Sequence, residues 1–157
     1  MYKHHNLLWA ALLLLGLHSV GIAETENQNK AELQLNEQRQ LVEMPSKAQQ
    51  VMRQHMLEHL ATLNQIIGLI AEDKLEKAAS LAETKIGISS MGKQCAKTGM
   101  GPGLFMPPDM RQMGRRLHEA SSEFARIAKE GDTKQAVAAL QKVTTTCVAC
   151  HYKYRIQ

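Results

Sequence analysis

Four segments of this 157-residue chain carry apolar side chains at spacings of three and four, and that repeat limits the possible fold more than anything in the composition does. In the first segment Met52, Met56, Leu60, Leu63, Ile67 and Ile70 recur at this interval. Met110, Met113, Leu117, Ala120, Phe124 and Ile127 do so in the third, and Val137, Leu140, Val143, Cys147 and Cys150 in the fourth. The second, Leu75, Ala78, Ala82 and Ile86, is weaker and rich in small residues. A period near 3.6 lines each set along one face of a helix, whereas half-buried strands would need alternation. Four such stripes bury one another in an all-α fold, an antiparallel up-down-up-down four-helix bundle.

Punctuation between the segments supports the same reading. Ser46 with Gln49, Asp73 with Glu76, Asp109 with Gln112 and Asp132 with Gln135 have the spacing of capping boxes or their Asp variants. Tight turns are expected at Glu72–Asp73 and Gly131–Asp132, and one long crossover through the Gly-, Pro- and Met-rich stretch from Gly87 to Pro108. Residues 24–44, dominated by Asn, Gln and Glu, read as a polar N-terminal arm outside the core, and residues 45–157 as the bundle.

At the N-terminus Lys3, His4 and His5 precede an apolar run from Leu7 to Leu17, followed by the small residues Gly21 and Ala23. This has the layout of a secretory signal peptide over residues 1–23, and the run falls short of the ~20 residues a permanent membrane span requires. The expected mature chain is periplasmic and has no stable membrane insertion. Losing Lys3 with the leader lowers the formal net charge from +4 to +3. That mild surplus suits an acidic protein partner but lacks the dense basic clusters of a nucleic-acid binder.

Near the C-terminus Cys147, Val148, Ala149, Cys150 and His151 spell C-x-x-C-H, a haem-attachment pattern. Two thiols at this spacing can add to the two vinyl groups on one edge of the porphyrin, and the adjacent imidazole then reaches the iron. The expected cofactor is one haem c, covalently held by two thioethers. Export agrees, because in bacteria such attachment takes place outside the cytoplasm. A redox dithiol, half of a zinc site and a chance occurrence in a helix are the competing readings of the motif. Cys95 lies outside the motif and reads as a lone thiol in a loop, with an intermolecular disulfide as the alternative.

Bundle geometry suggests where the opposite side of the haem lies. The fourth helix runs antiparallel to the first, and His151 is taken to lie about five residues before its end. Counting as far into the first helix, plus about 5–6 residues to clear the haem, brings Met52, His55, Met56 and Leu57 opposite the iron, with His59 about a turn deeper. Met56, on the core stripe, is the candidate sixth ligand, since a thioether there would complete the coordination. Buried methionine also fills gaps, so Met56 has a structural reading as well. His59 and His118 read as hydrogen-bonded, buried or half-buried histidines. Leu104, Phe105, Met106 and Met110 can cover the porphyrin, while Met100, Met106, Met110 and Met113 together offer a thioether-rich alternative for Cu(I).

With Tyr154 and Arg155 at the third and fourth positions after His151, the chain resembles the class II c-type cytochromes, cytochrome c prime and its low-spin relatives. The resemblance implies haem bonded to Cys147 and Cys150, His151 as proximal ligand, and Arg155 near the proximal side. High-spin members leave the distal face open and bind NO or CO; low-spin members place a Met there and carry electrons. Met56-Leu57-Glu58-His59-Leu60 is similar to the ligand-bearing turn of the low-spin group. Arg53, however, precedes Met56 by three residues instead of four, which leaves Leu57 as an alternative apolar cover. The expected function is a one-electron carrier with His151 and Met56 on the iron, serving redox partner proteins; the alternative is a five-coordinate NO- or CO-binding protein. No enzymatic role is expected, because no nucleophile, base or substrate pocket is readable around the motif. Family members often pair through the first helix, which makes a homodimer compatible with the resemblance.

Overall fold

The structure is a computed structural model, and it describes residues 28, 30, 34, 38–93, 99 and 101–157. The chain divides into a unit of residues 1–39 and a unit spanning Gln40–Gln157. The expected leader and Cys95 lie outside the described residues. In the second unit the order is β1 (Gln40–Val42), α1 (Ser46–Ala71), α2 (Leu75–Lys85), 3-10 turns at Ile88–Ser90 and Pro102–Phe105, α3 (Pro108–Ala128), α4 (Thr133–Lys153) and β2 (Tyr154–Ile156). Four helices in this order bear out the all-α four-helix reading. The closest packing is between α3 and α4, followed by α2 with α3 and α1 with α2.

Of the four expected capping positions only Asp132 caps its helix through its side chain. At α4 the backbone N–H of Gln135 donates to Asp132 Oδ1 at 2.8 Å, and its side chain reaches Asp132 Oδ2 at 3.3 Å. Helix α1 begins after Pro45, and Gln49 turns back to donate from Nε2 to the Met44 carbonyl at 2.8 Å. Asp73 is displaced from the cap by the turn itself: its φ of 57° is left-handed, a conformation Asp tolerates, and its carboxylate accepts from Thr133 Oγ1 at 3.1 Å. At α3 Pro107 precedes Pro108 at the first helical turn, where a missing N–H costs nothing, and Asp109 binds Lys153 instead. The α3–α4 turn passes through Gly131 at φ 82°.

The core has two clusters. The first joins Ile66 and Ile70 of α1, Leu75, Ala78, Ala79 and Ala82 of α2, Phe124, Ala125 and Ala128 of α3, and Ala136, Ala139, Leu140 and Val143 of α4. Its many alanines let the helices approach closely around Phe124, which is fully buried. The second joins Val42 and Met44 to Ala48, Met52, Met110 and Tyr154, with Met56, Phe105, Met106, Met113, Cys150 and Ile156 packed against it. It lies where α1 begins and α4 ends.

Three expectations change. The tail of the polar arm is not excluded from the core: residues 40–42 pair in parallel with β2, in the register Gln40–Tyr154, Leu41–Arg155 and Val42–Ile156, and Val42 and Met44 are buried. A parallel pair needs a long crossover, and here the whole bundle is that crossover. The α1 stripe is rotated: Ala48, Met52, Thr62, Ile66 and Ile70 are buried, whereas Leu60 and Ile67 stay on the outer face. Thr62 enters the core by donating to the Glu58 carbonyl at 2.8 Å. On α4, Ala136 and Ala139 replace the exposed Val137. No helix among the described residues is long and apolar enough to cross a membrane.

Candidate functional site

The pentad occupies the last turns of α4. Cys147 and Cys150, three residues apart, share one helical face and are half-buried, Cys150 against the second cluster. His151 is exposed. It lies two residues before the end of α4 instead of the expected five, because Tyr154 switches the backbone to an extended conformation. That shortening draws the level opposite His151 toward the start of α1, where Met52 is buried and Met56 packs against the same cluster one turn later.

Burial raises the pKa of both thiols, and for Cys150 the neighbouring Cys147 adds to the effect. Neither therefore resembles the acidified thiolate of a disulfide oxidoreductase, which counts against the redox-dithiol reading. Two protonated, half-buried thiols, one of them packed against a methionine-rich apolar cluster, suit attachment of a large apolar ring better. Met52, Met56, Met106, Met110 and Met113 are unbranched and adaptable, so this lining can conform to a planar ligand.

A second observation fits the same group. Arg155 follows α4 in β2, where it pairs with Leu41, and its Nε is buried without a hydrogen-bond partner. A guanidinium is always charged and presents five donors, so this buried atom favours a carboxylate such as a haem propionate. Tyr154 is buried beside it, and Lys153 lies 5.3 Å from the Tyr154 ring while binding Asp109 Oδ2 at 3.1 Å. This ion pair fastens the end of α4 to the start of α3.

Of the covering residues expected from the long loop, Phe105 and Met106 pack against the second cluster and Met110 is buried in it, whereas Leu104 is 76 % exposed. Leu57 points to the outer face at 61 % exposure, so it does not serve as the distal cover. Met100, part of the Cu(I) alternative, lies outside the described residues.

The histidines of α1 and α3 divide. His118 is hydrogen-bonded as expected, Nδ1 to the Ile86 carbonyl at 2.5 Å. His59 is not: both its ring nitrogens are buried without partners, and its ring lies 4.2 Å from that of His55 and 6.4 Å from that of His118. Desolvation first, then the His55 and His118 charges, lower its pKa to about 3. His55 is lowered too, by burial foremost. An unfolded chain takes up these protons near the ordinary value of 6.5, whereas the folded chain refuses them. The stabilisation is therefore complete above 6.5 and is lost as pH falls toward 3. Urea titrations between pH 7 and pH 4 are expected to show a falling midpoint, and His59→Gln to flatten that slope; an unchanged slope would contradict the assignment.

A family model described as Cytochrome C' matches residues 47–155. No curated protein and no solved structure gives a significant match. The matched span runs from the first turn of α1 through all four helices and the pentad to Arg155, and on that breadth the chain belongs to the cytochrome c′ family of haem-binding four-helix-bundle cytochromes.

Proposed function

We propose that this protein is an exported, periplasmic one-electron carrier holding one haem c. Cys147 and Cys150 are assigned the two thioether bonds, His151 the proximal ligand position, Met56 the distal one, and Arg155 a propionate. The observation that carries this reading is the convergence of the half-buried Cys150, on the same helical face as Cys147, with the methionines of α1 and α3 on one apolar end of the bundle. The bound iron would alternate between its ferric and ferrous states. The protein's own contribution is to hold the ring, exclude water and set the ligand field. A thioether opposite an imidazole favours the ferrous state, as suits a carrier. The exposure of Tyr152 and Val148 leaves that end of α4 accessible to a redox partner. No catalytic role is assigned.

A second reading, a five-coordinate haem that binds NO or CO, also fits the family. The spectrum of the reduced protein with and without CO separates the two. A low-spin spectrum indifferent to CO is expected, and conversion of a high-spin spectrum by CO would establish the gas-binding reading instead. Met56→Ala is expected to open the iron to CO and to lower the reduction potential. A low-spin spectrum retained in Met56→Ala but lost in Met52→Ala would move the ligand one turn toward the start of α1.

A further inference from the structure

We propose that His55, His59 and His118 form a binding site for one divalent transition-metal ion, Zn2+ or Cu2+ by the chemistry of imidazole, separate from the haem-attachment pentad. His55 and His59 are one turn apart on α1, the spacing by which a single helix offers two imidazoles to a metal. His118 comes from α3. An ion about 2.0–2.1 Å from each ring nitrogen holds two ring centroids roughly 4.5–6.5 Å apart, depending on the angle between them. The 6.4 Å between His59 and His118 lies just inside that range, and the 4.2 Å between His55 and His59 just below it. As the side chains stand, no group of three His, Cys, Asp or Glu among the described residues could hold a metal ion. Binding must therefore reorient the rings, opening His55–His59 slightly while His118 turns toward His59, movements that side-chain rotation covers.

Three features favour an ion over mere ring packing. His59 occupies the inner line of α1, seven residues from both Met52 and Ile66, yet buries two nitrogens that nothing satisfies. Buried polar atoms without partners are costly and rare, and a metal would satisfy one of these directly. Its depressed pKa keeps the imidazole neutral, with a lone pair available at neutral pH. His118 is oriented as a ligand by its own hydrogen bond. A carbonyl can only accept, so the Ile86 oxygen fixes the proton on Nδ1 and frees Nε2. The Glu58 carboxylate, felt by His55, adds a charge favourable to a cation.

The test is calorimetric titration of the haem-loaded protein with Zn2+, together with electron paramagnetic resonance of its Cu2+ complex. One saturable equivalent is expected, with nitrogen hyperfine structure from imidazole in the Cu2+ spectrum. His59→Gln and His118→Gln should each weaken Zn2+ binding by about tenfold or more while leaving the haem absorption spectrum unchanged. Should His59→Gln not fold, as judged by helical circular dichroism, His118→Gln and His55→Gln decide on the same criterion. Absence of saturable binding, binding that survives both His55→Gln and His118→Gln, or a changed iron spectrum in folded His59→Gln overturns the proposal. Since Zn2+ binding is read independently of the iron, failure here leaves the electron-carrier reading standing.

Discussion

Replacing Phe124 by alanine is expected to destabilise the protein by about 3–5 kcal/mol and to lower its Tm by about 10–20 °C. Phe124 is fully buried and lies in the cluster to which all four helices contribute. Its neighbours there are mostly alanines of α2, α3 and α4, already in close contact and too small to collapse into the space a phenyl ring would leave. Most of the cavity would therefore persist, which places the cost at the upper part of the usual range. Phe124→Leu should lose far less, about 1 kcal/mol, because it keeps most of the volume. Thermal unfolding followed by circular dichroism measures both. Phe124 belongs to the first cluster and the pentad's neighbours to the second, so the haem spectrum of folded Phe124→Ala should match that of the parent. A loss below about 1 kcal/mol would mean that the four helices do not depend on this ring.

The second large effect is chemical. In Cys147→Ala/Cys150→Ala both thioethers are impossible, and covalent haem is expected to fall from one per chain to none. The readout is haem peroxidase staining after denaturing electrophoresis, with intact mass as confirmation. Each single variant should keep one bond and stain more weakly. The two cysteines are three residues apart on one helical face, Cys150 at the border of the second cluster, and neither can replace the other at its own porphyrin position. His151→Ala retains both sulfurs, so any haem it carries should stay covalent while the ligand field of the iron changes. Full staining of the double cysteine variant would exclude thioether attachment through the pentad.

Helix α3 and the middle of α4 are readable from their three-and-four spacing. Met110, Phe124, Leu140 and Val143 are all buried where the three-and-four spacing puts them. Helix α1 misleads because it is apolar on more than one face. Leu57, Leu60 and Ile67 fit a helical repeat as well as Ile66 and Ile70 do, and periodicity by itself does not say which of two apolar lines turns inward. The caps fail for a related reason: a Ser or Asp three residues before Gln or Glu is a local preference, and a Pro-Pro entry at α3 and a left-handed Asp73 at the α1–α2 turn displace it. The short β1–β2 pair leaves no trace in the pattern, since three-residue strands are too short to show alternation. Yet that pair ends α4 soon after His151 and carries Arg155 to its place.

Local spacing along one chain is enough to specify the helical class, the four segments and the attachment pentad: 3.6 residues per turn for the helices, and two thiols beside an imidazole for the haem. It does not specify which α1 residues face inward, that Val42 and Met44 close the methionine-rich end, or that His55, His59 and His118 meet across two helices. These depend on how the helices are rotated and how far their ends extend. Packing energy summed over the whole bundle fixes such quantities, and no window of the sequence contains that sum.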